Sequence, residues 1–283
     1  MDFREAGEHD LPAIRRLLAA ANDTPWDLER VAQEKCFQPG PQGPPVTIVA
    51  EEAGELVGIA TSTSHALRLL AVRPDRRREG IGSALFKRSL RTGSGRLSIY
   101  GEAGNYFLPG VPESDRATIS FFRSLGLDEE AEPAVNLVLS LEGNSRIPND
   151  LPDKVERGSP ADRDRITEFA ERHFGSAWAW EVSRAFENTP PTLFIVCDEE
   201  GRVAGFSAHD ANNRGLGFFG PMGVEPGQRG KGTGRALLVA SLIDLHRLGY
   251  REAVISWAAN AGFYEEVAGA ARRFSMIRFS ATR

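Results

Sequence analysis

The chain has 283 residues, of which 41% are hydrophobic and 26% are charged, and its net charge is −5 at neutral pH. This composition is typical of a globular protein long enough for two domains of common size. The acidic balance gives no general attraction to nucleic acid or to an anionic membrane, and no apolar run approaches the ~20 residues of a membrane-spanning helix. Cys36 and Cys197 lie in different halves without metal-ligand spacing, so we expect reduced thiols, a cytoplasmic location and no metal site.

The first half of the chain alternates between strand patterns and helix patterns. Apolar side chains recur every second residue in the strands and every third or fourth residue in the helices. The predicted elements are a strand at 2–6, a helix from residue 11, a hairpin at 46–50 and 56–63, a strand at 67–72, a helix at 81–91, a strand at 97–100, a helix at 115–125 and a strand at 134–141. Residues 22–45 lack this periodicity, and we expect an irregular loop with a short helix there.

A glycine-rich basic loop, VRPDRRREGIG at residues 72–82, joins the strand at 67–72 to the next helix. The first turn of a helix has unpaired backbone N–H groups and the positive end of the helix dipole, and glycine lets the backbone approach a phosphate. An arginine run is usually solvated, but at this point we expect at least one arginine to contact phosphate. The residues expected to bind a phosphate-bearing ligand here are Val72, Arg77, Arg78, Gly80, Ile81 and Gly82.

The second half repeats the first after a polar segment at 144–152. Its loop, VEPGQRGKGTG at residues 224–234, follows the strand pattern that begins near Phe218 and precedes a helix whose apolar face includes Leu238 and Leu242. The further predicted elements are a helix around 166–173, a hairpin at 193–197 and 203–208, a strand at 251–257, a short helix at 263–267 and a final strand near 274–280.

The two halves are related by one constant offset. Val72 and Val224 are 152 residues apart, and so are Leu85 and Leu237. A shared period over such lengths indicates an internal duplication. We therefore expect a first domain at 1–143, a linker at 144–152 and a second domain at 153–283.

Two common phosphate-binding motifs do not fit the second loop. A Walker P-loop requires glycine where Glu225 stands and serine or threonine where Gly232 stands. The dinucleotide fingerprint also fails, because an arginine or a leucine occupies the place of its third glycine. The pattern that remains in both loops is Arg-x-x-Gly-x-Gly, preceded by Val-x-Pro.

This pattern resembles the acetyl-coenzyme A loop of the GNAT N-acetyltransferase family. The resemblance covers nearly the whole chain twice, because the order of elements in each half is that of the GNAT fold. We expect an α/β fold with mixed sheets in two tandem acyl-CoA N-acyltransferase (GNAT) domains, as in the tandem-GNAT proteins, a group with mycothiol synthase among its distant members. The resemblance implies acetyl-coenzyme A as cofactor, and we expect a small-molecule amine as acceptor and a monomer or homodimer.

The resemblance also assigns roles in the second half. In the family, a tyrosine on the helix after the fifth strand protonates the thiolate of coenzyme A, and Tyr264 matches that position. Phe122 stands there in the first half and has no proton to give, so we expect the second domain to be catalytic and the first to be degenerate. The residues expected to bind the cofactor are Met222, Gly223, Val224, Arg229, Gly230, Lys231, Gly232, Thr233, Gly234, Arg235 and Asn260.

Two other functions fit the sequence. The chain is alternatively a coenzyme A-binding sensor without turnover, or a scaffold that binds no ligand. Two intact glycine loops argue against the scaffold, and Tyr264 favours the enzyme over the sensor. His209 and Asp210 are candidates for a general base by chemistry alone, although a solvated loop is the more common place for such residues.

Overall fold

The computed structural model describes residues 1–90, 95–269 and 271–282. Arg91, the end of the helix predicted at 81–91, lies outside these residues. The described residues form mixed sheets flanked by helices, so the prediction of an α/β fold with mixed sheets is confirmed. No helix in these parts of the chain combines the length and the apolar character needed to cross a membrane.

The chain divides into two compact units, Met1–Ala134 with Ser275–Arg283, and Val135–Phe274. The helices and strands of the first unit are β1 (Asp2–Glu5), α1 (Leu11–Ala21), α2 (Ala32–Phe37), β2 (Val46–Glu52), β3 (Glu55–Ser62), β4 (Ala66–Val72), α3 (Ile81–Ser89), β5 (Arg96–Ile99), β6 (Val111–Pro112), α4 (Arg116–Ser124), β7 (Asp128–Glu129) and β15 (Phe279–Thr282). Its seven-stranded sheet has the order β1-β2-β3-β4-β5-β15-β7.

The second unit has the same arrangement around a second mixed sheet. Its helices and strands are β8 (Ala134–Ser140), β9 (Glu156–Arg157), α5 (Arg163–Phe174), α6 (Ser176–Ala185), β10 (Leu193–Cys197), β11 (Val203–His209), β12 (Phe218–Val224), α7 (Thr233–Arg247), β13 (Glu252–Ile255) and α8 (Ala261–Ala268), followed by β14 (Ala271–Ile277), which continues past the end of the unit. The strand order within the unit is β8-β13-β12-β11-β10-β9. Helix α6 was not predicted from the sequence.

The compact units are bounded differently from the predicted domains. Strand β8, assigned to the first domain by its sequence order, pairs with β13 in the second unit. Strand β15, at the end of the chain, pairs with β5 and β7 in the first unit. Each unit therefore contains a strand from the other half of the sequence, because strand pairing depends on edge partners rather than on chain order.

The segment predicted as a linker is bonded to the second unit. The Asn144 side-chain amide donates to the carbonyl of Ala268 at 2.8 Å, and Arg146 donates to the carbonyl of Glu266 at 2.8 Å. These bonds hold the segment on the C-terminal end of α8, whose last carbonyls have no partners within the helix. The segment is thus part of the unit rather than a free connection.

The helix faces that read as apolar in the sequence form the cores of the units. Ile14 and Leu18 of α1 are fully buried in the first unit, and Leu238, Leu242 and Leu245 of α7 are fully buried in the second. Helix α3 packs on the first sheet and α7 on the second, each directly after its glycine-rich loop. The packing of these helices fixes where the loops lie relative to the sheets.

Candidate active sites

Each sheet contains a parallel pair of strands that is joined over only two residue pairs. In the first unit, β4 and β5 pair only at Ala66 with Ser98 and at Leu67 with Ile99. In the second unit, the β12 and β13 pairing is likewise confined to two residue pairs, the second of which joins Phe219 to Ile255. Strands β5 and β13 end at these pairs, so the later residues of β4 and β12 have no parallel partner among the described strands, and we call this edge of each sheet its cleft.

A helix N-terminus lies beside each cleft, and the residue that caps it has a positive φ, which favours glycine. Gly80 and Gly232, the N-caps of α3 and α7, have φ of +81° and +83°, a region that favours glycine. The first N–H groups that bond back to these caps are those of Ala84 and Ala236. The N–H groups of the three preceding helical residues therefore lack carbonyl partners within the helix and are free to bind an anion.

The second glycine of each loop is packed against an aromatic ring. A Cβ at Gly82 would lie 3.5 Å from Cζ of Phe121, and a Cβ at Gly234 would lie 3.6 Å from Cζ of Phe263. Phe121 and Phe263 thus occupy equivalent places on α4 and α8. The next residue on α8 is Tyr264 and the next on α4 is Phe122, so these two residues occupy equivalent positions.

The arginines of the first loop differ in how far their charge is neutralised. Arg76 is paired with both Glu52 and Glu79, so the Glu79 carboxylate is directed to Arg76. Arg77 donates to the carbonyl of Val72 at 3.2 Å and lies 3.1 Å from an oxygen of Asp23. For Arg78, which is exposed, the described residues provide no ion-pair partner, so its guanidinium is available to a phosphate.

The cations of the second loop are less neutralised by carboxylates than those of the first. Arg229 donates to the carbonyl of Val224 at 3.3 Å, which repeats the contact of Arg77 with Val72. Lys231 donates to Oε1 of Gln228 at 2.8 Å. Within the described ranges, no carboxylate forms an ion pair with Arg229, Lys231 or Arg235, all of which are exposed.

A cavity of about 590 Å³ occupies the cleft of the first unit. It extends from the loop and the first turn of α3, at Gly80 and Gly82, along the last residues of β4 to Arg68. Small-molecule sites have volumes of roughly 300–1,000 Å³. All six residues predicted to bind a ligand in the first half line this cavity.

One domain family accounts for both halves of the chain. The model of the acetyltransferase (GNAT) domain matches residues 44–126 and 190–267, which together exceed half of the chain. The chain belongs to the GNAT acetyltransferase family. The tandem-GNAT resemblance found in the sequence is confirmed, and both matched segments contain a glycine-rich loop with its helix.

Relatives of this GNAT protein include a mycothiol acetyltransferase and a tandem GNAT protein. It shares 27% identity over 262 residues with a mycothiol acetyltransferase of Nocardia farcinica, covering 84% of this chain and 82% of that one. A solved tandem GNAT protein from the clavulanic acid biosynthesis pathway has a TM-score of 0.71 at 18% identity, covering 99% of this chain and 98% of that one.

A second structural neighbour is much longer than this chain. It is a fungal multi-domain GH3 β-N-acetylglucosaminidase with a GCN5-related glucosamine N-acetyltransferase region, matched at a TM-score of 0.79 and 19% identity. The match covers 99% of this chain and 38% of the fungal protein. Structural similarity at such low identity supports the fold of the GNAT chain.

Tyr264 lies at the cleft of the second GNAT unit. Its ring centroid is 6.2 Å from that of Phe219, the last residue of β12 to pair with β13, and 5.3 Å from that of Phe263. Burial raises the pKa of the Tyr264 hydroxyl above its usual value. The side chain of Asn260 caps α8, because its Oδ1 accepts a hydrogen bond of 3.3 Å from the N–H of Phe263. This side-chain oxygen is therefore already bonded within the helix.

The two GNAT units differ on the face of the sheet opposite α3 and α7. In the second unit, the ring of Phe174 covers Gly223 so closely that an added Cβ would lie 2.4 Å from it. Trp178 stacks on Phe174 with ring centroids 4.9 Å apart. The corresponding residues of the first unit, Asn22 and Ala71, line the open cavity. The ring of Phe174 therefore covers a position in the second unit that is open in the first.

His209 and Asp210 are buried, and the expectation of a solvated loop is wrong for both. His209 lies 2.9 Å from a carboxylate oxygen of Asp244, which also accepts from Arg157. Burial by itself would raise the pKa of Asp244, but the bonds from His209 and Arg157 outweigh it and lower the pKa to about 2. Asp210 accepts from the hydroxyl of Tyr250 at 2.6 Å. The sequence hid these contacts because the partners are distant along the chain.

A charged network at the inner end of the first cavity was also missed. Arg68, which lines the cavity, is fully buried and forms two bonds to Glu102, at 2.5 and 3.0 Å. It donates as well to the carbonyls of Lys35 and Gln38. An arginine within a predicted buried strand is the signal that could have revealed it, since buried arginine requires a partner.

Proposed function

We propose that this GNAT protein transfers the acetyl group of acetyl-coenzyme A to a primary amine of a small molecule, and that its second unit carries out the transfer. The observation that carries the proposal is the position of Tyr264. It places a phenol beside the point where the pairing of β12 and β13 ends, one residue after the ring that contacts Gly234 of the phosphate-binding helix. A proton donor and an anion site thus border the same cleft.

Binding of the cofactor would begin at the second loop. The free N–H groups at the start of α7 and the side chains of Arg229, Lys231 and Arg235 would bind the phosphates. The pantetheine arm would then lie along Met222–Val224 of β12, beyond the last pair with β13. Backbone N–H groups of this stretch would stabilise the negative oxygen of the tetrahedral intermediate.

Acetyl transfer requires a proton donor near the sulfur atom of coenzyme A. The amine nitrogen bonds to the thioester carbon, and collapse of the intermediate breaks the carbon–sulfur bond and leaves a thiolate. The hydroxyl of Tyr264 would protonate that thiolate, and the proton lost by the nitrogen would restore the phenol through solvent. Burial raises the pKa of Tyr264, so the side chain is a neutral phenol at pH 7 and holds the required proton.

The acceptor is proposed from the relatives. One is named a mycothiol acetyltransferase, and another contains a region described as a glucosamine N-acetyltransferase. Glucosamine is therefore the first amine to test. We also propose a cytoplasmic location, supported by Cys36 and Cys197, which are both free thiols.

The test is a screen for amine-dependent release of coenzyme A. Acetyl-coenzyme A is incubated with the protein and with glucosamine, spermidine, kanamycin, an amino-acid amide or a peptide, and free thiol and acetylated product are measured. We expect one amine to accelerate thiol release and to gain an acetyl group. Saturable binding of acetyl-coenzyme A with no acetylated amine would contradict the proposal and favour the sensor.

A further inference from the structure

In each unit a phenol lies at the cleft, but at different positions. In the second unit the phenol is Tyr264 on α8, whereas the equivalent residue of α4 is Phe122. In the first unit the phenol is Tyr100, directly after Ile99, the last residue of β5 that pairs with β4. The residue that follows the last paired residue of β13 is Ser256. The phenol of the first unit therefore lies at a strand end, whereas that of the second unit lies on a helix.

Tyr100 reaches the cleft from this strand end. Its φ of +66° turns the chain away from the strand direction, and its ring packs against that of Phe122 with centroids 5.7 Å apart. Its hydroxyl donates to the carbonyl of Leu70 at 3.2 Å. Leu70 lies beyond the last β4–β5 pair, so this hydroxyl lies at the cleft.

The open cavity of the first unit supplies the remaining requirements of a site. It is lined by Tyr100 and Leu70, and it also reaches the α3 N-terminus, where Gly80 and the free N–H groups offer an anion site. With a volume of about 590 Å³, it has room for a pantetheine arm and a small acceptor. Phe122 itself is fully buried and lies outside the lining.

We propose that the first unit is a second acetyl-transfer centre, in which Tyr100 protonates the thiolate of coenzyme A. This rests on the proposed function only for its cofactor and its reaction. The amine nitrogen bonds to the thioester carbon, the carbon–sulfur bond breaks, and its electron pair stays on sulfur. The Tyr100 hydroxyl gives its proton to that sulfur, and the proton released by the nitrogen restores the phenol through solvent.

The surroundings of Tyr100 keep its hydroxyl protonated, which is the form that can donate a proton. Burial, with a smaller contribution from the negative charge of Asp115, raises the pKa of the hydroxyl, so the phenol is neutral across the physiological range. Its existing bond to the carbonyl of Leu70 fixes the ring. When a sulfur atom occupies the cleft, the same hydroxyl needs only a rotation about its C–O bond to donate to it.

The first test observes the phenol directly by NMR. The chain has four tyrosines, so labelling tyrosine Cζ with ¹³C gives four signals, and Tyr100→Phe assigns one of them. The protein carries Gly234→Asp, whose carboxylate repels phosphate at the second loop. We expect coenzyme A to shift the Tyr100 signal and desulfo-coenzyme A, which lacks the sulfur, to shift it clearly less. Equal shifts with both ligands, or no binding of coenzyme A, would overturn the proposal.

The second test measures transfer in the same Gly234→Asp protein, with the amine that the screen identifies. Adding Tyr100→Phe should lower the remaining rate by ~10²–10⁴-fold, the usual contribution of a general acid. The control is Tyr250→Phe, which removes a hydroxyl bonded to Asp210 in the second unit and should leave that rate unchanged.

The outcomes separate this proposal from the proposed function. If the wild type acetylates no amine, the proposed function has failed. If the wild type acetylates an amine but the Gly234→Asp protein does not, or if Tyr100→Phe has no effect there, the first unit is not a transfer centre. The Tyr100→Phe change retains the ring that packs on Phe122, so a folded variant is expected for the comparison.

Discussion

Replacement of Gly234 by aspartate separates ligand binding from folding at the second loop. Gly234 lies in the first turn of α7, where its missing Cβ would meet Cζ of Phe263 at 3.6 Å, an ordinary contact distance. An acidic residue in a first turn interacts favourably with the helix dipole, by about 0.3–1 kcal/mol. The Gly234→Asp protein should therefore be at least as stable as the wild type while repelling phosphate.

The loss of affinity follows from the charge. Two like charges about 4 Å apart repel by about 1 kcal/mol in bulk water and about 4 kcal/mol at the effective dielectric constant of a protein surface. Since about 1.4 kcal/mol corresponds to a tenfold change, the second-site Kd should rise roughly 5- to 1,000-fold. Gly234→Asn has nearly the same size without the charge and should lose much less.

Calorimetric titration with coenzyme A measures this difference. The gap between the Gly234→Asp and Gly234→Asn proteins should narrow as salt is added, because salt screens exposed charges. Thermal unfolding of both variants provides the control for stability. Equal affinities for the two variants at low salt would refute the assignment of a phosphate to the start of α7.

Three further changes have defined outcomes. Arg78→Gln should weaken first-site binding of coenzyme A by about tenfold, and Arg76→Gln much less, because the Arg76 charge is already neutralised. Asp244→Asn should lower the free energy of unfolding by about 2 kcal/mol at pH 7. The resulting difference in urea midpoint should shrink as the pH falls below about 4 and be lost as it passes through about 2, where the wild-type carboxylate becomes protonated. Gly223→Ala should cost about 1–3 kcal/mol because its Cβ would collide with Phe174, and a Phe174→Ala background should remove that cost in thermal unfolding.

The sequence sufficed for the features that repeat. Offsets of 152 residues predicted two equivalent loops, and the structure caps the following helices with Gly80 and Gly232 at nearly the same φ. Local chemistry determines such a turn, because a left-handed residue before a helix favours glycine wherever it occurs. Arg77 and Arg229 also make matching contacts with the ends of their strands.

These sequence patterns do not predict which distant segments pair with each other. Residues 134–141 were correctly predicted as a strand, yet alternating apolar residues do not specify which sheet receives them, and β8 joined the second unit. The role proposed for Tyr100 was missed for a related reason. The repeat aligns Phe122 with Tyr264 on the helix, whereas the phenol of the first unit comes from the strand end beside Phe122.

The measurement that tests the central claim most directly is single-turnover acetylation by Tyr264→Phe. It is made in a Gly82→Asp background, in which a carboxylate repels phosphate at the first loop, with the amine identified by the screen. The change keeps the ring that packs on Phe219 and Phe263, so folding and cofactor affinity should change little. The account predicts that the rate of acetyl transfer falls by ~10²–10⁴-fold relative to Gly82→Asp alone. An unchanged rate would contradict it and make Tyr264 a packing residue.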